Sequence, residues 1–147
     1  MEHSSTNISL NIEHIVEGLE SPPPTGLMYD ERMLFHRDDK VEYHVENPER
    51  VTTIYQAFLD YGLVDRCEVQ PARPATDNEI STLHDQSLVD KLSLLKEEDE
   101  KMRKEIVLKL EKTHDSVYFN EATWEAAHLA SGACIDAVEK VIVLVDC

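Results

Sequence analysis

The chain is 147 residues long, enough for one compact domain with a core of its own and too short for two. Its 30 acidic residues against 14 basic ones leave a formal charge of −16, which opposes direct binding to nucleic acid phosphates or an anionic membrane and suits an acetylated or Lys-rich protein partner instead. The three cysteines, Cys67, Cys134 and Cys147, form no metal-finger spacing, and no leader or bilayer-length apolar run is visible, so the expected compartment is reducing: nucleus, cytoplasm or both.

Residues 1–24 are polar and end in Ser21-Pro22-Pro23-Pro24, whose fixed φ angles and missing donors favour an extended linker. They are read as a tail preceding a domain over 25–147. Within the tail, Ile8, Ile12, Ile15 and Leu19 recur near helical spacing, the pattern of a short docking helix between Asn7 and Glu20. The pair Glu13-His14 falls short of HExxH and carries no catalytic weight. Thr25-Gly-Leu-Met-Tyr-Asp30 is the first predicted strand, with Gly26 permitting close backbone approach, and His36–His44 is a polar loop. Asn47-Pro48-Glu49-Arg50 makes a helix entrance: a capping side chain, a proline where a missing N–H costs nothing, and an acid in the first turn. Val51, Ile54, Phe58 and Leu59 form the expected inward stripe, and Gly62 ends the helix.

A second short strand is expected around Asp65–Val69, closed by the helix-forbidding Pro71-Ala-Arg-Pro74. Thr76 and Glu79 then stand as a capping box, with Ile80 and Leu83 facing inward. His84 is read as a structural histidine at a helix end, because no Ser, Cys or second His stands at a spacing that connects to it. Leu88, Leu92 and Leu95 give another stripe, Lys96–Lys101 a solvated charge run, and Met102, Ile106 and Leu110 an amphipathic helix. Ser116–Phe119 has the content of a buried strand, Asn120 that of a helix cap. The following helix carries Ala122, Ala126, Ala130, Ala133 and Ala137 for close approach and Trp124, His128, Ile135 and Val138 for bulk. Val141–Val145 reads as a strand inside a parallel sheet.

The run Asp115-Ser-Val-Tyr-Phe-Asn120 followed by Leu129-Ala-Ser-Gly-Ala133 resembles class II zinc-dependent histone deacetylases, particularly those similar to histone deacetylase 6. Thr25–Asp30, His44-Val-Glu-Asn-Pro48-Glu-Arg50 and Leu83-His84-Asp85 extend the resemblance over roughly Thr25 to Lys140. It implies the N-terminal portion of an arginase/deacetylase-type three-layer α/β fold, helix-rich, with a partial parallel sheet. By the same resemblance His44, Asp115 and Ser116 belong to the substrate rim and Arg50 to an inner channel. On the residues alone, Arg50 also reads as a surface arginine paired to a carboxylate, and Asp115 as a turn residue. Val45 stands where the family has its first proline, which loosens that loop.

The family activity is zinc-dependent hydrolysis of acetyl-lysine in histones or other proteins, a chromatin and transcription function. Zinc hydrolases hold the metal with about three protein ligands plus a water. The seven histidines here, at 3, 14, 36, 44, 84, 114 and 128, include no His-x-His, Asp-x-His or HExxH pair. The family's Gly-His-His segment is also missing, so the expectation is a truncated domain without catalytic residues or cofactor of its own. The other reading is a non-catalytic interaction protein or short isoform that binds deacetylase-complex partners.

Overall fold

The computed structural model describes residues 24–40, 44–96, 99–113 and 116–145. The docking-helix pattern in the tail therefore lies outside the described residues, as do His114 and Asp115. Strands β1 (Thr25–Met28) and β2 (Cys67–Gln70) pair in parallel, with Thr25 opposite Cys67 and Leu27 opposite Val69. The connection between them holds a 3-10 turn at Glu31–Phe35, helix α1 (Glu49–Asp60) and a second 3-10 turn at Val64–Arg66. Parallel neighbours need such a crossover because a tight hairpin reverses direction.

Local signals place the boundaries. Asp30 ends β1 and accepts from the Arg32 N–H at 2.9 Å, opening the first turn. Asn47 Oδ1 accepts from the Glu49 N–H at 3.0 Å at the start of α1. Gly62, at φ 62°, ends it, with Leu63 N–H donating back to Phe58 O at 2.8 Å. The inward stripe of α1 is narrower than its sequence suggests: Val51 and Phe58 are half-buried, but Ile54 and Leu59 are exposed. Tyr55 anchors the helix instead, stacking on Tyr29 at 3.9 Å between centroids.

After β2 the chain passes through Ala72 and Ala75, both buried, into α2 (Asp77–Ser81). The capping box is formed, Glu79 N–H donating to Thr76 Oγ1 at 3.2 Å and Thr76 N–H to Glu79 Oε2 at 2.6 Å. Helix α2 stops before Leu83, which is 90% exposed and so does not face inward. Helix α3 (Gln86–Ser93) buries Val89, and a 3-10 turn at Leu94–Lys96 carries Leu95 into the core. Helix α4 (Glu100–Thr113) is rotated from its expected register: Val107 and Leu110 are buried, while Met102 is exposed.

Helix α5 (Thr123–Val145) is the longest element and covers the sheet. Leu129 is fully buried with Ala72 and Ala133, against Met28 and Met33. A second cluster joins Leu95, Val107 and Leu110 to Leu92, Ile106 and Phe119. Ala130 and Ala137, expected on the packing face, are exposed. The closest approach is at Gly132, where a Cβ would stand 2.0 Å from Arg73 O, whereas Gly26 has open space around it. Backbone and side chains reinforce this seam: Ala75 N–H donates to His128 O at 2.8 Å, and Arg73 binds Asp136 at 2.8 Å and Glu79 through two nitrogens.

Two expected strands are not strands. Residues 116–119 run as irregular chain into α5, and Ser116 takes a left-handed φ of 56°. Residues 141–145 continue α5 as helix. In both cases β-propensity had no neighbouring strand among the described residues to pair with, whereas helix hydrogen bonds are supplied locally.

Candidate functional site

The candidate site forms where the start of α5 meets the first 3-10 turn. Asn120 is the fastener: its Oδ1 accepts from Ala122 N–H at 3.1 Å, while Nδ2 donates to Phe35 O at 2.7 Å and Arg37 O at 3.1 Å. One side chain thus fixes the turn leading into α5 and ties down a loop far away in sequence; the helix opens on the Ala122 carbonyl, so Asn120 stands two residues ahead of the cap position rather than on it as the sequence suggested. Thr123 Oγ1 accepts from Asn120 N–H at 2.9 Å and lies 3.0 Å from His36 Nδ1. Glu121 is exposed and pairs with Arg103 at 2.9 Å.

Tyr118 is held between two histidines. The His36 ring stacks on it at 4.7 Å, and His44 meets it edge-on at 4.9 Å. Its Oη–H donates to Glu46 O at 3.1 Å, fixing the loop that carries His44. His44 Nδ1 in turn accepts from Glu46 N–H at 3.1 Å. Burial lowers the pKa of His36. Burial, with Asp38 and Glu46 nearby, raises that of Tyr118. Near neutral pH the pair is therefore an uncharged imidazole and a protonated phenol, a hydrogen-bonding surface and not a charged one.

These groups border an open cavity of about 400 Å³, whose walls include Met33, His44, Arg50, Ser116, Tyr118 and Phe119. Three of the four residues singled out in the sequence, His44, Arg50 and Ser116, therefore share one cavity. Asp115 lies outside the described residues. Arg50 sits at the cavity's edge, largely exposed, with Nη1 3.6 Å from Glu46 Oε2, the pairing to a carboxylate that its sequence position also suggested. His36 and Tyr118 were not singled out, because stacking between residues this far apart leaves no local signature.

The two other described histidines lie elsewhere. His84 is exposed beyond α2. His128 is buried, with Nδ1 2.9 Å from Trp124 O and Nε2 3.3 Å from Asp77 Oδ1, a structural arrangement in which both ring nitrogens are occupied. The zinc that the sequence resemblance implies does not fit this donor set: among the described residues no three His, Cys, Asp or Glu side chains converge. What the site offers is a shaped wall with hydrogen-bonding groups.

The family model of the histone deacetylase domain matches residues 44–144, which include every described residue of this cavity except Met33 and His36. Histone deacetylase clr3 of Schizosaccharomyces pombe is 34% identical over 126 residues, covering 80% of this chain and 18% of that protein. Histone deacetylase HDA1 of Saccharomyces cerevisiae is 31% identical over 140 residues, covering 83% and 19%. Polyamine deacetylase HDAC10 of Danio rerio is 31% identical over 122 residues, covering 80% and 17%. The chain thus spans about a fifth of the length of these relatives. Among solved structures, the HDA15 HD domain superposes with a TM-score of 0.63 at 28% identity, covering 78% of this chain and 30% of that one. The two-stranded parallel sheet under α5 is accordingly a portion of the arginase/deacetylase-type α/β fold.

Proposed function

The chain belongs to the histone deacetylase family, and from that premise we propose that it supplies one wall of the acyl-lysine tunnel of a class II, histone deacetylase 6-like domain. The parent activity is zinc-dependent hydrolysis of acetyl-lysine in histones or other proteins. The observation that carries this reading is the cavity that His44, Arg50 and Ser116, drawn from two distant segments, line together with Tyr118. In it His44 and Ser116 serve the substrate rim together with Asp115, and Arg50 serves the inner channel. The formal charge of −16 favours a Lys-rich or histone-like substrate over an acidic one.

The 147 residues by themselves are proposed to be non-hydrolytic, because the sequence has no His-x-His, Asp-x-His or HExxH pair and, among the described residues, no three His, Cys, Asp or Glu side chains gather to hold a metal that could lower the pKa of a water. A second reading, a non-catalytic protein that binds deacetylase-complex partners, draws on the exposed apolar Val138, Val141 and Ile142 along α5. An NMR titration with an acetyl-lysine peptide tests the tunnel-wall reading. Shifts confined to His44, Arg50, Ser116 and Tyr118 are expected; shifts confined to the end of α5 would favour the second reading.

A further inference from the structure

Among the described residues, His128 is the one polar or charged side chain that is buried, at 7% exposure. Its ring joins two elements of the fold. Nδ1 lies 2.9 Å from Trp124 O, one turn back along α5, and Nε2 lies 3.3 Å from Asp77 Oδ1 at the start of α2. A carbonyl oxygen only accepts, and so does an ionised carboxylate, so each contact is a hydrogen bond only if the ring nitrogen brings the proton. The Asp77 side chain is 65% exposed, the condition under which a carboxyl is ionised near neutral pH. A neutral imidazole has one N–H, and either tautomer sets the other nitrogen's lone pair against an oxygen lone pair. The imidazolium satisfies both contacts at once.

The surroundings suit that charge. The ring packs on Trp124 with centroids 4.0 Å apart and planes tilted by 33°, and an indole face attracts a cation. A buried cation is costly without a partner, and Asp77 supplies one. Of the other charged or titratable groups nearby, His84 lines the same cavity of about 240 Å³, and Lys96 Nζ lies 4.4 Å from the centre of the Trp124 ring, a like charge that opposes the imidazolium. Glu79 on α2 and Asp136 on α5 are taken by Arg73, and Glu125 on α5 pairs with Arg32. The backbone is already joined here, Ala75 N–H donating to His128 O at 2.8 Å, so the ring extends that seam from the 72–75 segment to the start of α2.

We propose that His128 is a proton-dependent latch: as an imidazolium it ties Asp77 at the start of α2 to α5, and on losing its proton it gives up one of its two hydrogen bonds and loosens that seam. The latch is independent of the tunnel-wall reading, since neither Asp77 nor His128 borders the first cavity. Stability contributed by the protonated form is present at low pH and is lost as pH rises through the range in which histidine gives up its proton.

The imidazole ¹⁵N resonances of the full chain read the proton on each nitrogen. At about pH 5 both His128 nitrogens are expected to carry protons, and by about pH 8 one is expected to have lost its own. A ring that keeps a single N–H over that whole range would overturn the proposal, as would one that keeps both. The second measurement compares Tm against pH for the unsubstituted chain and for Asp77→Asn, whose amide donates to a neutral ring as readily as it accepts from a charged one. Relative to that variant, the unsubstituted chain is expected to lose about 4 °C between about pH 5 and about pH 8. Asp77 also stands at a helix N-terminus, where negative charge is favoured at every pH, so the readout is the slope and not the level. Parallel slopes would overturn the latch; the other histidines are present in both chains and cancel. If Asp77→Asn does not fold, the ring-nitrogen measurement on the unsubstituted chain decides alone.

Discussion

Replacing Gly132 with alanine is a severe perturbation despite adding a single methyl group. The new Cβ would stand 2.0 Å from Arg73 O, 2.7 Å from Ala75 N and 2.9 Å from the Pro74 carbonyl carbon, all backbone atoms. Relieving these contacts requires the 73–75 segment to retreat by about 1 Å or more, since carbon and oxygen pack at roughly 3.2–3.5 Å. That retreat stretches the 2.8 Å bond from Ala75 N–H to His128 O and loosens the cluster of Ala72, Leu129 and Ala133. Overpacking costs about 1–3 kcal/mol and a weakened buried amide bond about 1–3 more, offset by about 1 kcal/mol of improved helix propensity. The net expectation is destabilisation of about 1–5 kcal/mol, centred near 3. Thermal unfolding followed by circular dichroism would show Tm falling by about 10 °C for a domain of this size. An unchanged or higher Tm, the outcome that helix propensity alone predicts, would refute the close packing of α5 on this loop.

Other consequences follow from the same contacts. Hydrogen bonds from Arg73, then from Thr76, pull the Glu79 carboxyl from 4.5 down to about 2. A lowered folded-state pKa gives stability that is present above pH 4.5 and disappears as pH falls toward 2, so Glu79→Gln should flatten the acid limb of a Tm-against-pH series in that window. Asn120→Ala removes the acceptor of the Ala122 N–H and two bonds to the Phe35 and Arg37 carbonyls, and should cost about 2 kcal/mol in urea unfolding, with altered Tyr118 ring resonances. Tyr118→Phe deletes the donor to Glu46 O while keeping the ring between His36 and His44; stability should change by no more than about 1 kcal/mol, and the amide resonances of residues 44–46 should broaden.

Features that depend on a few neighbouring residues were legible in the sequence. The Thr76–Glu79 box and the stop at Gly62 are decided within one helical turn, and both are present; Asn47 and Asn120 also hold a backbone N–H where the sequence put a helix start, but the cap positions themselves fall at Pro48 and Ala122. Features decided by distant neighbours were not. Met102, Ile106 and Leu110 repeat every four residues, which drifts by about 40° per step around a helix with 3.6 residues per turn. The buried edge of α4 instead follows Val107 and Leu110, where Leu95 presses against it. The runs at 116–119 and 141–145 read as strands, the first for its β-branched and aromatic content and the second because β-branched residues dominate it, yet a strand exists only where another chain segment pairs with it. Within the candidate site, resemblance brought His44, Arg50 and Ser116 to attention. His36 escaped it, since its contact with Thr123 joins residues 87 positions apart.

The most direct test of the account is to incubate the 147-residue chain with equimolar Zn²⁺ and an acetyl-lysine peptide, measuring bound metal and released acetate together. The donor set described above predicts neither stoichiometric zinc nor acetate above the uncatalysed rate. One equivalent of tightly held zinc accompanied by turnover would contradict it.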